Sequence, residues 1–204
     1  MEHIEEAGIH SGDSSCIWPP VSVPRSCLQQ IEKTALALAK KLSIVGLLNI
    51  QFIYRAGKVY VLEANPRASR TVPFISKASG VPWADIGARV CVGRRLKDLL
   101  RPYADRLTGN GNGFAVKMPV FSTRRFPGAD FLLGPEMRST GEVMAMGATL
   151  EEALAKAQIA AHGSIVETKG ILFSLKDQDK EKFIPSVKRC QQAGFKIFAT
   201  RHTA

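Results

Sequence analysis

Hydrophobic and polar positions change period several times along the 204 residues. Over Leu48–Arg55 and Val59–Leu62, β-branched and aromatic residues crowd two short runs on either side of Ala56-Gly57-Lys58, which predicts a β-hairpin. Ahead of it, residues 1–23 read as short strand and loop. Leu28, Ile31, Ala35, Leu38 and Leu42 then recur at helical spacing behind Pro24, which predicts one amphipathic helix covering the hairpin's apolar face. Beyond the hairpin, Phe74–Ser79 and Trp83–Val92 read as short helices divided by Gly80-Val81-Pro82, with Trp83 as a packing residue and Lys77 on the surface. Thr108–Gly113 is a Gly/Asn turn cluster, Phe114–Phe121 a strand, and Ser122–Leu133 a loop exposing Arg124 and Arg125. Gly134–Gly147 is loop and strand, with Glu136, Arg138 and Glu142 in structural roles. Thr149-Leu150-Glu151-Glu152 is a capping box opening an Ala-rich helix to about Ala161.

The pattern restarts after His162–Thr168. A strand over Gly170–Leu175, a helix over Lys180–Ala193 and a strand over Phe195–Thr200 make one βαβ unit, expected to be parallel and right-handed. The fold class is therefore α/β (α+β), in two parts: an antiparallel sheet with flanking helices over 1–162, and a βαβ unit over 163–204.

Composition narrows the picture. Hydrophobic residues make up 45% of the chain, ordinary for a globular protein, and no apolar run approaches the roughly 20 residues of a membrane span. The acidic N-terminus is unlike a signal peptide. Cys16, Cys27, Cys91 and Cys190 lack metal-ligand spacing and read as reduced thiols of a cytoplasmic protein. The net charge of +10 is spread along the chain with no basic run longer than two, so a polynucleotide partner is not expected and phosphate of a small molecule is the better explanation.

The hairpin carries the candidate chemistry. Glu63 and Asn65 lie two apart on an extended chain and share a face. Gln51 joins them if the turn holds three residues and flips away if it holds two. In the three-residue register Asn49, Gln51 and Ile53 face Val59, Val61, Glu63 and Asn65. A carboxylate and two amides suit a hard cation such as Mg²⁺, whose shell substrate phosphates and waters complete. Arg67 and Arg70 follow at once, and arginine suits bidentate phosphate contact. A metal–phosphate site is one reading; a strand that merely ends in an Asn65-Pro66 turn is the other.

The run Gln51…Glu63-Ala64-Asn65-Pro66-Arg67-Ala68-Ser69-Arg70-Thr71-Val72-Pro73-Phe74 resembles the metal and phosphate strand of ATP-grasp enzymes. Its extension NPRASRTVPFISKASGVP, with MEHIEEAGIHSGDS at the start and LGPEMRSTGEVM at 133–144, resembles more narrowly the large subunit of carbamoyl phosphate synthase over essentially the whole chain. The resemblance implies the C-terminal part of an ATP-grasp domain at 1–162 and the truncated start of a regulatory domain like methylglyoxal synthase at 163–204. It implies ATP with Mg²⁺ or Mn²⁺, metal ligation by Gln51, Glu63 and Asn65, nucleotide contact by Gly8, Ile9, His10, Ser11, Gln51 and Glu63, and charge stabilisation by Arg67 and Arg70.

A regulatory domain follows only the carbamate-phosphorylating half of that subunit. The implied activity is therefore ATP-dependent phosphorylation of carbamate, feeding pyrimidine and arginine biosynthesis, with a glutamine amidotransferase small subunit or domain as partner. Ser174, Lys180, Thr200 and Thr203 match positions for phosphate-bearing effectors, but His202 stands where the pattern has glycine, which speaks against effector binding. Met1 matches an internal position, so the chain is expected to be a fragment, inactive alone. Another ATP-grasp carboxylate–amine ligase or a biotin-carboxylase-like enzyme would share the hairpin but lack the βαβ unit; a non-catalytic ATP-binding fragment is a further alternative.

Overall fold

A computed structural model describes residues 1–108, 113–122, 128, 132–163 and 169–204. The predicted turn at 109–112, Arg124, Arg125 and the segment 164–168 lie outside the described residues. The elements are β1 (Glu2–His3), β2 (Cys16–Trp18), α1 (Arg25–Lys41), β3 (Asn49–Arg55), β4 (Lys58–Asn65), α2 (Thr71–Ser79), α3 (Trp83–Cys91), α4 (Leu96–Leu100), α5 (Ala104–Thr108), β5 (Phe114–Val120), β6 (Gly141–Gly147), α6 (Leu150–His162), β7 (Gly170–Phe173), α7 (Lys180–Gln192) and β8 (Lys196–Ala199). They pack as two units, Met1–His162 and Gly163–Ala204.

In the first unit, β1, β2, β5 and β6 form an antiparallel sheet in that order. Alternation along β5 decides what lies on each side. Val116 turns to α6 and packs with Ile17, Ala153 and Ala157. Ala115 turns the other way, to Phe74 and Ala78 of α2. Burying a side chain the size of Val116 stabilises the unit by about 1.5–3 kcal/mol, and each buried alanine methyl by less than about 1 kcal/mol. The predicted capping box opens α6: the Glu152 amide donates to Thr149 Oγ1 at 3.2 Å, and the Glu152 carboxylate accepts from the Ala148 amide at 2.7 Å. Pro119 lies in β5 opposite Glu142 of β6, beyond the three residues of β5 that pair with β2.

The hairpin β3–β4 is a separate two-stranded sheet. Arg55 pairs with Lys58, so the turn holds two residues, Ala56 and Gly57, with φ of 49° and 79°. That is the doubly left-handed turn that matches strand twist. A two-residue turn alone would put Gln51 on the wrong face. A β-bulge corrects it: Phe52 pairs with Val61 and Gln51 with Glu63, leaving Leu62 as the extra residue. The three-residue register therefore fails next to the turn, where Tyr60 opposes Ile53, and Val59 and Val61 oppose Tyr54 and Phe52. It holds at the open end, where Asn49 pairs with Asn65.

Helix α1 follows Pro24 as the periodicity predicts and packs on the hairpin, but buries only Cys27 fully. Tyr54, Tyr60 and Leu62 stay about half exposed, so one helix covers the ribbon's apolar surface only in part. Helix α2 begins at Thr71, a turn earlier than the hydrophobic pattern suggests, because Pro73 is compatible with a helix's first turn. Arg70 thereby becomes its N-terminal flanking residue. Gly80, with φ of 67°, ends the helix in the left-handed conformation that glycine adopts without strain.

The second unit is β7–α7–β8 with the two strands parallel. Helix α7 runs through Pro185.

Candidate functional site

The bulged register brings Gln51, Glu63 and Asn65 onto one oxygen atom. Gln51 Nε2 donates to Glu63 Oε1 at 2.8 Å, and Asn65 Nδ2 donates to the same oxygen at 2.9 Å. Two amides and a carboxylate thus converge at the open end of the ribbon, with the Glu63 side chain exposed. The donor set fits a divalent cation: a half-turn of each terminal amide offers oxygen in place of N–H, and Glu63 keeps both carboxylate oxygens. Among the described residues no cluster of three or more His, Cys, Asp or Glu side chains could hold a metal. A site with one carboxylate needs ligands beyond the protein, as Mg²⁺ sites that take substrate phosphates do.

The turn at residues 8–13 meets this constellation. Ser11 Oγ accepts from Gln51 Nε2 at 3.2 Å. Gly8 takes φ of 106°, and the Ile9 amide bonds to Glu6 O. His10 Nδ1 accepts from the Gly12 amide at 3.0 Å, and the His10 amide donates to Gly134 O at 2.7 Å. Of the four predicted nucleotide-contact residues in this turn, Ser11 is the one bonded to the hairpin.

The two arginines diverge. The Arg67 amide donates to Asn65 O at 2.8 Å, which turns the chain, and its guanidinium bonds to Ala68 O. It lines a cleft of about 220 Å³ with Asn49, Ser69 and Thr71 on its polar side and Ile75 and Trp83 on its apolar side. Thr71 Oγ1 bonds to Ser69 Oγ at 2.6 Å and accepts from Asn49 Nδ2 at 3.5 Å, tying the start of α2 to the hairpin. Trp83 Nε1 donates to Ser79 Oγ, which holds the indole in the cleft wall. Arg70 instead reaches Met137, with Nη1 2.8 Å from the thioether sulfur.

The family model described as "Carbamoyl-phosphate synthase L chain, ATP binding domain" matches residues 1–99. The whole chain is 48% identical to the carbamoyl phosphate synthase large chain of Thermotoga petrophila, and 48% identical to that of Acidobacterium capsulatum. The chain belongs to the carbamoyl phosphate synthase large-chain family. It spans 20% of the length of the first of these relatives and 19% of the second. Among solved structures, a biotin carboxylase domain of a single-chain bacterial carboxylase aligns with a TM-score of 0.52 and 18% identity, over 70% of this chain and 39% of that one. An N5-carboxyaminoimidazole ribonucleotide synthetase, solved as its ADP complex, aligns with a TM-score of 0.50 and 20% identity, over 71% and 39%. These two establish a shared fold and nothing finer.

Two side chains that organise this large-chain segment escaped the sequence reading. Asp13 is fully buried and accepts from the Arg138 and Ser139 amides, each at 2.8 Å. Burial disfavours its charge, but the bonds from Ser139 and from the Arg138 amide outweigh burial and hold the carboxyl below its ordinary pKa. Lys117 is 2% exposed; alternation along β5 places it on the α2 side, where Nζ donates to Ser11 O at 3.3 Å and lies 3.7 Å from Glu142. The signal for Lys117 was a charged side chain at an inward position of β5; Asp13 lies in the turn before β2, where no strand alternation marks it. The charge near Lys117 also acts on its neighbours. Burial and Lys117 lower the His3 pKa, while burial pushes the Cys16 thiol up to about 11, leaving it protonated and unreactive.

Asp13→Asn should loosen the 10–13 turn. One of its carboxylate oxygens becomes an NH₂ facing a backbone N–H, a loss of about 1–3 kcal/mol. Thermal unfolding at pH 7 should show a midpoint lowered by several degrees. The sign with pH follows from the depressed value: the wild-type contribution is present above the unfolded carboxyl's pKa of about 4 and is lost as pH falls through the lower folded value, so the two proteins converge in acid.

In the second unit two of the positions matched to an effector, Thr200 and Thr203, bond to each other, and Lys180 bonds to a neighbouring aspartate. Thr200 Oγ1 and Thr203 Oγ1 lie 2.8 Å apart, the Leu175 amide donates to Thr203 Oγ1 at 2.9 Å, and Lys180 pairs with the exposed Asp177 at 2.8 Å. His202 does not take a positive φ, so the backbone there places no demand for glycine.

Proposed function

We propose that this chain is part of the carbamate-phosphorylating half of a large chain, acting on ATP with Mg²⁺ or Mn²⁺. The observation that carries the reading is the convergence of Gln51 and Asn65 on Glu63 Oε1, with Arg67 and Arg70 following on the same strand end. Glu63, Gln51 and Asn65 would hold the cations, which would supply charge neutralisation for the phosphates of ATP. Gly8, Ile9, His10 and Ser11 form the turn beside them and would border the nucleotide. The cleft of about 220 Å³ beside Arg67 is below the usual size of a cofactor pocket and suits a small planar anion. Carbamate held there would be oriented by the Arg67 guanidinium, with the Asn49–Thr71–Ser69 network fixing the wall. The carbamate oxygen is itself the nucleophile; it attacks the γ-phosphoryl group and ADP leaves, so positioning and charge stabilisation are what the protein supplies.

The assignment to the second half rests on the βαβ unit at 163–204, which fits the start of a regulatory domain resembling methylglyoxal synthase. The Thr200–Thr203 pairing and His202 argue against a phosphate-bearing effector in this form. A glutamine amidotransferase small subunit as ammonia supplier, a cytoplasmic location and a place in pyrimidine and arginine synthesis belong to the same proposal. No described helix is long and apolar enough to cross a membrane.

The test compares the 204-residue chain alone with a full-length large chain carrying this segment. The full-length protein should make ATP from ADP and carbamoyl phosphate. The isolated chain should make neither carbamoyl phosphate nor ATP and should bind ATP weakly, because the family's nucleotide-covering lobe precedes a hairpin like this one. ATP-dependent synthesis by the isolated chain would refute the assignment of roles between the two pieces.

A further inference from the structure

We infer that Met137 is a positioning residue for Arg70, an inference that rests on the reading of Arg70 as a phosphoryl-contacting side chain. Arg70 stands at the start of α2, where a long, exposed guanidinium has many rotamers to choose from. The structure selects one: Nη1 lies 2.8 Å from Met137 Sδ. The thioether is a weak acceptor, but it is also the end of an unbranched side chain that fills irregular gaps.

Met137 is placed from both sides. Two residues on, the Ser139 amide donates to Asp13, as does the Arg138 amide next to Met137; Ser139 Oγ also donates to Gly12 O at 3.2 Å. Three residues back, Gly134 O accepts from the His10 amide. The loop over 134–139 is thus strapped to the same 10–13 turn that touches Gln51 through Ser11.

Gly12 completes the device by absence. A Cβ there would come within 2.8 Å of Met137 Sδ and 3.1 Å of His10 Nδ1. Its φ is not positive, so a side chain there would press on the Met137 thioether and the His10 ring rather than strain the backbone. The sulfur lies over the space a Gly12 side chain would fill and within reach of Arg70 Nη1. One strap thereby sets the turn and the arginine together, and the distance between them is fixed by a single side chain.

The experiment uses a full-length large chain carrying this segment and the synthesis of ATP from ADP and carbamoyl phosphate. Met137→Leu keeps the packing on Gly12 and removes the acceptor; Met137→Gln returns an acceptor at similar reach. Met137→Leu should lower kcat roughly tenfold, with the KM for MgADP and the unfolding midpoint unchanged. Met137→Gln should recover most of the loss. A purely structural methionine would leave Met137→Leu at the wild-type rate, and that result overturns the inference, as does a Met137→Gln variant no faster than Met137→Leu. Arg70→Ala in the same assay separates the two levels. If Arg70→Ala is as active as wild type, the reading of Arg70 fails; if Arg70→Ala is inactive while Met137→Leu is unimpaired, only the positioning role fails.

Discussion

Glu63→Gln, in a full-length large chain carrying this segment, is expected to slow carbamate phosphorylation by roughly 10²–10³, about 3–4 kcal/mol of transition-state stabilisation. The substitution keeps the shape of the side chain and removes the only carboxylate among Gln51, Glu63 and Asn65. Both amides now donate to Glu63 Oε1; with glutamine in its place three neutral amides would face cations and triphosphate, and the γ-phosphoryl group would be misplaced. The defect should be confined to one half-reaction. ATP synthesis from ADP and carbamoyl phosphate should fall by the full factor, and bicarbonate-dependent ATP hydrolysis by the other half should largely survive. The reverse pattern would assign this segment to the other half.

Arg67→Ala should cause a loss of similar order for a different reason. Arg67 turns away from the Glu63 cluster, bonds to Ala68 O and lines the cleft beside Asn49 and Thr71. Removing it leaves Gln51, Glu63 and Asn65 in place and takes a fixed positive charge from the cleft beside Asn49 and Thr71. The expected signature is a rate lowered roughly 10²–10³ with divalent-metal affinity nearly unchanged. Steady-state kinetics at saturating Mn²⁺ would check the rate. If Arg67→Ala were repaired by excess metal, its role would lie in holding the cation.

How far the sequence could be read depended on the range of the interactions involved. The hairpin, α1 and the capping box at Thr149–Glu152 are local, set by periodicity and turn chemistry within a few residues, and they stand close to where the pattern places them. The register was not local. Ala56-Gly57 makes a two-residue turn, and an extra residue at Leu62 then restores Gln51 opposite Glu63. A bulge has no reliable signature in an alternating apolar run, so the right pairing at the open end is compatible with a wrong one beside the turn. Helix α2 was missed by one turn because Pro73 reads as a stop but is allowed in a helix's first turn. Asp13 and Lys117 act across more than a hundred residues, on Ser139 and Ser11, and Met137 across 67, on Arg70. No spacing rule reaches that far. Inward polar positions on β2–β5 and on the turn before it are what a longer-range reading would have to examine.

The central claim is that Gln51, Glu63 and Asn65 hold divalent cations against the phosphates of a nucleotide. Its most direct test is a Mn²⁺ titration followed by electron paramagnetic resonance, on the full-length large chain with a non-hydrolysable ATP analogue. The wild-type protein and Arg67→Ala should bind the same number of tight Mn²⁺ ions. Glu63→Gln should lose those of one half and keep those of the other. Unchanged Mn²⁺ number and affinity in Glu63→Gln, or an equal loss in Arg67→Ala, would contradict the account.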